Sequence, residues 1–243
     1  CGFTENTPTV CPSCSATDFD CKGFGTEQIQ ESLNALMQEA TISRMDYDTT
    51  RKKYAHQEII REFEQGRIDI LVGTQMVTKG LDFDNVAVVG ILNADNMLHY
   101  PDFRAYERAF QLMMQVAGRA GRKGKQGKVF LQTYDEKHEV IQLLKIHDLK
   151  QFYTKQITER KLFNYPPFSR LIAITLKHKD KNRLDKASNQ LATQLRKSFN
   201  YRVLGPEYPA ISRIRNYFHK DILLKIEQNA SVKKAKTILD TII

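Results

Sequence analysis

Short, almost continuously apolar runs recur along the first 140 residues, each separated from the next by a stretch with helical spacing. Ile68–Val72, apolar but for Asp69, and Val86–Leu92, broken only by Gly90, are the clearest runs, and the more polar Thr41–Asp46 and Gly127–Tyr134 read as further strands. A strand apolar on both faces belongs in a parallel sheet covered by helices. The intervening segments supply those helices: Ile29, Leu33, Leu36, Met37 and Ala40 share one face, as do Ala55, Ile59 and Phe63. Phe103, Tyr106, Phe110, Met113 and Val116 form a third such face. Thr26, Thr49 or Thr50, and Asp102 are the predicted N-caps, and Gly66 the predicted stop of the second helix. The expected architecture is an α/β lobe, a parallel sheet with helices on both faces.

The pattern changes near residue 137. A mixed-charge helical stretch through Ile141, Leu144, Leu149, Phe152 and Ile157 runs into Tyr165-Pro166-Pro167-Phe168, where two prolines end any helix. Beyond it, strands at Leu171–Leu176, Val203–Pro206 and Tyr217–Ile226 frame a helix through Leu184, Ala187, Leu191 and Leu195. A last helix starts near Ser231. This reads as a small α+β domain with helices on one face of its sheet. The predicted division is 1–24, 25–136, 137–168 as a helical linker, and 169–243.

Charge follows the same division. Residues 1–140 carry 16 Lys and Arg against 20 Asp and Glu, whereas residues 141–243 carry 21 against 8, a net +13. So basic a C-terminal part has the electrostatic footprint of a nucleic-acid binder, although a solvated basic surface has the same composition. Arg213-Ile214-Arg215-Asn216-Tyr217-Phe218-His219-Lys220 alternates bases with aromatics. That combination suits phosphate contact with base stacking, so Arg213, Arg215 and Lys220 are the DNA-binding candidates. No apolar run reaches the roughly 20 residues that span a bilayer, so no membrane partner is expected.

Gln115-Val116-Ala117-Gly118-Arg119-Ala120-Gly121-Arg122 places two arginines, a glutamine and two glycines within eight residues. Arginine's planar fork suits phosphate, and glycine lets backbone approach a ligand. At the other end, Cys11-Pro12-Ser13-Cys14 has zinc-knuckle spacing, and Cys1 reads as half of a second pair. These three thiols cannot complete a tetrahedral site alone. Cys21 fits no ligand spacing, and the chain otherwise reads as cytoplasmic, where a disulfide framework is not expected.

Three segments in order, Gly73-Thr74-Gln75-Met76-Val77-Thr78-Lys79-Gly80, the loop from Asn93 to Arg104, and Gln115–Arg122, resemble the second motor lobe of superfamily 2 helicases. Thr74–Gly80 is similar to motif V. Gln115-x-x-Gly118-Arg119-x-x-Arg122 is similar to motif VI. Gly25-Thr26-Glu27-Gln28, Arg44-Met45-Asp46, Pro101-Asp102-Phe103-Arg104, Tyr165–Phe168 and Leu204-Gly205-Pro206 narrow the resemblance to the bacterial replication-restart DNA helicases, the PriA or primosomal protein N′ family.

That resemblance implies a RecA-like second lobe and a C-terminal DNA-binding domain of an ATP-dependent 3′-to-5′ helicase. ATP with Mg2+ is then the expected cofactor. Arg122 would act as the arginine finger, Arg119 as a second phosphate contact or brace, and Gln115 as a nucleotide sensor. Gly80, Asp82 and Gly118 complete the nucleotide-facing set, while Thr74, Gln75 and Lys79 face DNA backbone or relay nucleotide state to it. Cys1, Cys11 and Cys14 match ligands of the family's zinc-binding insertion, which leaves an incomplete Zn2+ site.

Forked or single-stranded DNA, single-stranded DNA-binding protein and other primosome proteins are the implied partners of a cytoplasmic monomer. No Gly-x-x-x-x-Gly-Lys-[Ser/Thr] segment occurs, so the chain reads as an excised piece whose phosphate-binding lobe lies upstream and which is inactive by itself. The family's final strand is expected to be missing as well. The competing reading is a non-catalytic nucleic-acid-binding or partner-docking module derived from such a motor.

Overall fold

The structure is a computed structural model, and it describes residues 9–11, 15–18, 25–51, 54–77, 85–121 and 127–242. The chain divides into two compact units, Thr9–Leu149 and one built on Lys150–Ile243.

The first unit contains α1 (Thr26–Leu36), β1 (Ile42–Met45), α2 (Ala55–Glu64), β2 (Ile70–Gly73), β3 (Val88–Ile91), α3 (Asp95–Leu98), α4 (Ala105–Ala117), β4 (Lys128–Leu131) and α5 (Glu139–Lys145). β1 pairs with β2 in parallel, Ile42 opposite Ile70 and Met45 opposite Gly73. β3 pairs with β4 in parallel, Val88 opposite Lys128 and Ile91 opposite Leu131. In each pair a helical connection returns the chain to the same end, as parallel pairing requires. Among the described residues these are two separate two-stranded sheets. The β3–β4 pair is open on part of its surface, with Val88, Val129 and Phe130 exposed, where the apolar pattern predicts cover on both faces. The core lies against α4 and α5, where Phe110, Met113, Val140 and Ile141 are buried.

The predicted helix starts are corrected. Thr26 is the first residue of α1 and Gly25 its N-cap, because the Thr26 hydroxyl is taken by Asp46. α2 begins at Ala55, since Thr49 and Thr50 are held in a turn on Asp46. α4 begins at Ala105, and the Asp102 carboxylate accepts from the Arg104 N–H and binds Arg108 instead of capping. Gly66 does sit beyond the end of α2, at φ 71°, the left-handed conformation glycine tolerates.

The second unit contains β5 (Ser169–His178), α7 (Lys181–Phe199), β6 (Val203–Glu207), β7 (Arg213–Ile214), β8 (Tyr217–Glu227) and α8 (Val232–Ile242); α6 (Leu149–Leu162) leads into it. His147, at φ 54°, separates α5 from α6, which the periodicity had joined. The sheet is antiparallel in the order β5-β8-β6, with the short β7 pairing with β8 as a hairpin. Asp180 caps α7 by accepting from the N–H groups of Asn182 and Arg183. One sheet face is covered: Ile222, Leu224 and Ile226 of β8 pack with Leu195 and Phe199 of α7 and Leu239 of α8. Among the described residues no helix is long and apolar enough to cross a membrane.

Candidate functional site

β1 and β2 end together, and the turns beyond them carry the first group of candidate residues. Asp46, the residue after β1, is 8% exposed and organises its surroundings. Its Oδ2 accepts from the Thr26 hydroxyl at 2.6 Å and lies 3.0 Å from Arg44 Nε. Its Oδ1 accepts from the N–H groups of Asp48 and Thr49 at 3.0 and 2.9 Å. Burial alone would raise the carboxyl's pKa, but the Thr26 hydroxyl, the Thr49 N–H and the Arg44 guanidinium outweigh it and hold the pKa below its ordinary value. The turn thus keeps a buried anion with a full set of donors.

Gly73, opposite Met45, is the close approach between the two strand ends. A Cβ there would lie 2.5 Å from the Met45 carbonyl oxygen and 2.1 Å from a Val77 methyl carbon. No other residue fits without moving backbone. Thr74 and Gln75 follow at the surface, both exposed, in a 3-10 turn closed by Val77 N–H on Thr74 O at 3.1 Å. Thr50 Oγ1 reaches Met76 Sδ at 4.0 Å, so the Asp46 turn and the Thr74 turn form one surface. Lys79, Gly80 and Asp82 lie outside the described residues.

The Gln115–Arg122 stretch begins as the last turn of α4. Gln115 and Gly118 are exposed and Arg119 is half-buried. N–H bonds from Gly118 to Met114 O, Arg119 to Val116 O and Ala120 to Ala117 O tighten the helix end. Gly121, at φ 75°, then turns the chain and donates to Val86 O at 3.0 Å. Gly127 closes the loop, since a Cβ there would lie 2.3 Å from the Ala120 carbonyl carbon. The arginine stretch lies beside the residues that enter β3 and β4, not at those strands' C-terminal ends. α4 runs back along the strands and delivers it there. Arg122 lies outside the described residues.

A second buried carboxylate, Asp95, holds the C-terminal ends of β3 and β4. It accepts from the Thr133 hydroxyl at 2.9 Å and the Tyr134 N–H at 3.0 Å. Burial raises its pKa, and those two donors more than offset that, so it too stays ionised below the ordinary range. Asp102 and Arg104 hold their loop by local pairing: Asp102 Oδ2 accepts from Arg108 Nη1 at 2.7 Å.

In the second unit, Arg213 and Arg215 are exposed on the β7–β8 hairpin. Arg213 stacks its guanidinium over Phe218 at 5.1 Å. Lys220 is a correction. It is 8% exposed, on the covered face of β8, with its Nζ 2.7 Å from Asp185 Oδ1 and 4.8 Å from the Tyr208 ring centre. Tyr208 donates its hydroxyl to the same Asp185 oxygen at 2.7 Å. Burial and the Asp185 carboxylate push the phenol up to about 12. Lys220 therefore pins α7 to β8 and is not displayed to a ligand. Strand alternation could have flagged this, since Lys220 shares its parity with Ile222, Leu224 and Ile226.

Of the cysteines, Cys11 is half-buried in a turn where its carbonyl accepts from Ser15 N–H at 2.9 Å. Cys1 and Cys14 lie outside the described residues. Among the described residues no three His, Cys, Asp or Glu side chains are grouped to hold a metal ion, so the described part does not build a zinc site.

Residues 19–124 match the helicase conserved C-terminal domain, and residues 161–242 match the primosomal protein N C-terminal domain. A helicase conserved C-terminal domain followed by a primosomal protein N C-terminal domain defines the class: a helicase-type α/β lobe joined to an α+β domain. The chain is 39% identical to the replication restart protein PriA of Bacillus subtilis (strain 168) over 96% of its length and 29% of that protein. It is 37% identical to the PriA of Synechocystis sp. over 93% of this chain and 27% of that protein. It is likewise 37% identical to that of Treponema pallidum over 99% and 37%. The chain belongs to the PriA family of replication restart proteins. It spans roughly a third of the length of these relatives.

Proposed function

We propose that the chain supplies the second motor lobe and a DNA-binding domain to an ATP-dependent 3′-to-5′ DNA helicase acting at forked DNA. Primosome assembly at stalled replication is the process it serves, with single-stranded DNA-binding protein and other primosome proteins as partners. The observation that carries this reading is the order of segments within one lobe: the strand-end turn at Gly73–Val77, then Gln115-x-x-Gly118-Arg119-x-x-Arg122.

In this reading ATP with Mg2+ is cleaved against phosphate-binding residues that do not belong to this sequence. Arg122 offsets the charge that develops on the transferring phosphoryl group. Arg119, half-buried at the end of α4, is the second phosphate contact or the brace for Arg122, and exposed Gln115 senses the nucleotide. Gly118, Gly80 and Asp82 shape the nucleotide-facing backbone. Thr74, Gln75 and Lys79 contact DNA backbone beyond the end of β2, where hydroxyl, amide and ammonium groups suit phosphate oxygens.

Arg122→Ala in the full-length protein is expected to lower DNA-stimulated ATP hydrolysis by about 10³-fold, the lower end of what an arginine finger contributes. Unchanged ATPase activity would remove the motor reading and leave the non-catalytic docking module.

A further inference from the structure

The sheet of the second unit has one covered face and one open face. Ile222, Leu224 and Ile226 of β8 point toward α7 and α8, so the residues between them point the other way. Register places Lys177 of β5 opposite His219 of β8, and Thr175 opposite Asp221. Tyr217 lies at the same end, where the β7–β8 hairpin turns through Arg215 and Asn216 at φ 48° and 65°. Two successive positive φ values are those of the tight hairpin turn that follows the strand twist, and they lift Arg215 clear of the sheet.

Tyr217 is 38% exposed. The ammonium groups of Lys177 and Lys179 stand 6.0 and 5.6 Å from its ring centre. Both lysines and Arg215 are exposed. Lys220, one strand residue beyond His219, has its charge committed to Asp185; Lys177 and Lys179 enter no ion pair among the described residues. Both ammonium groups stand over the half-exposed ring, so a base that stacks there takes the face from them and leaves them to its neighbouring phosphates.

We propose that Tyr217, Lys177, Lys179 and Arg215 form a subsite for one unpaired nucleotide of single-stranded DNA. The base stacks on Tyr217, and the lysines and Arg215 take the adjoining phosphates. Asp221 sets the limit of the site. Its carboxylate accepts from the Thr175 hydroxyl at 2.6 Å in the middle of the open face, where it repels a phosphate. The strand path is thereby confined to the hairpin end. A duplex keeps its bases stacked inside and offers Tyr217 no free ring face, so the site distinguishes single-stranded from paired DNA. This inference rests on the reading of the second unit as DNA-binding.

The test compares the 243-residue chain and its variants on a fluorescein-labelled oligothymidylate and on a blunt duplex of equal length. Tyr217→Ala should weaken single-strand binding about 5- to 150-fold, the factor carried by one base–aromatic stack, and leave duplex binding unchanged. Tyr217→Phe should restore it. Lys177→Ala with Lys179→Ala should reduce the slope of log affinity against log salt by about 1.4 on the single strand.

Matching circular dichroism and melting curves establish that each variant is folded, which the exposure of all three side chains favours. Equal single-strand affinity for Tyr217→Ala and the unsubstituted chain overturns the subsite, as does an equal loss on duplex. Failure of the wider reading looks different: the unsubstituted chain would then bind neither DNA with any dependence on salt.

Discussion

Asp46→Ala is the most informative perturbation of the helicase lobe, because one buried carboxylate organises the end of β1. The substitution leaves the Asp48 and Thr49 N–H groups and the Thr26 hydroxyl without their acceptor, and takes from Arg44 its partner at 3.0 Å. Breaking a buried ion pair by removing one member costs about 3–5 kcal/mol. Two features favour the lower end. Arg44 keeps Glu27 Oε1 at 3.6 Å, and Asp48 is exposed, so water can reach the released turn.

The expected loss is therefore about 3 kcal/mol, which at a urea slope of about 2 kcal/mol per molar moves the midpoint down by about 1.5 M. Asp46→Asn keeps Oδ1 for the two N–H groups but loses the charge and the Oδ2 acceptor of the Thr26 hydroxyl, so a shift of at least about half that is expected. The pH dependence has a defined sign. The folded pKa lies below the unfolded one, so the carboxylate's contribution is complete above the ordinary value near 4 and is lost as pH falls through the folded value. The gap between the native chain and Asp46→Asn must then narrow on acidification. Urea unfolding monitored by circular dichroism at several pH values measures both. An Asp46→Ala midpoint within 0.2 M of the native chain, roughly 0.4 kcal/mol at that slope, would refute the hub.

Other substitutions probe other contacts. Gly73→Ala should destabilise by about 1–3 kcal/mol or more, since its Cβ meets the Met45 carbonyl oxygen, which is backbone, as well as a Val77 methyl; thermal melting reads this. Asp95→Ala, which removes the acceptor of the Thr133 hydroxyl and Tyr134 N–H, should cost about 1.5–3 kcal/mol by urea unfolding. Lys220→Met should lower the urea midpoint of the second unit, because Asp185 loses its charged partner and keeps only the Tyr208 hydroxyl of the pair, and leave the salt slope of DNA binding unchanged.

The alternation of elements was legible because each run kept its own period through the whole of its length. The predicted starts of α1, α2 and α4 failed for a common reason. Thr26, Thr50 and Asp102 are residues that cap helices well, and each instead satisfies a partner other than the second- or third-residue N–H of its helix: Asp46 Oδ2, Asp46 O, and Arg108 with the Arg104 N–H. Capping preference is local, and two of these three partners belong to one tertiary hub. The position of the Arg119 stretch was hidden for a different reason. Strand order along the sequence says which loops follow strands, but α4 runs back before its loop begins, and only the Gly121 N–H bond to Val86 O reveals the end reached.

The basic C-terminal part shows how far a net charge overstates a binding surface. Lys220 is committed to Asp185, Arg202 to Glu227 at 2.8 Å, and Lys225 lies 3.5 Å over the Tyr165 ring while donating to Phe163 O. Burial lowers the pKa of Lys225, as expected of an ammonium recruited for packing. These three cations hold the unit together, and a phosphate would have to displace partners already in place. The cations at the hairpin end differ. Lys177 and Lys179 also stand over a ring, that of Tyr217, but at 6.0 and 5.6 Å and exposed, with no ion pair among the described residues. Arg215 is exposed on the turn. A nucleic-acid footprint follows the cations whose charge is not already committed, and Lys177 and Lys179 are two such cations that also stand beside an exposed aromatic ring.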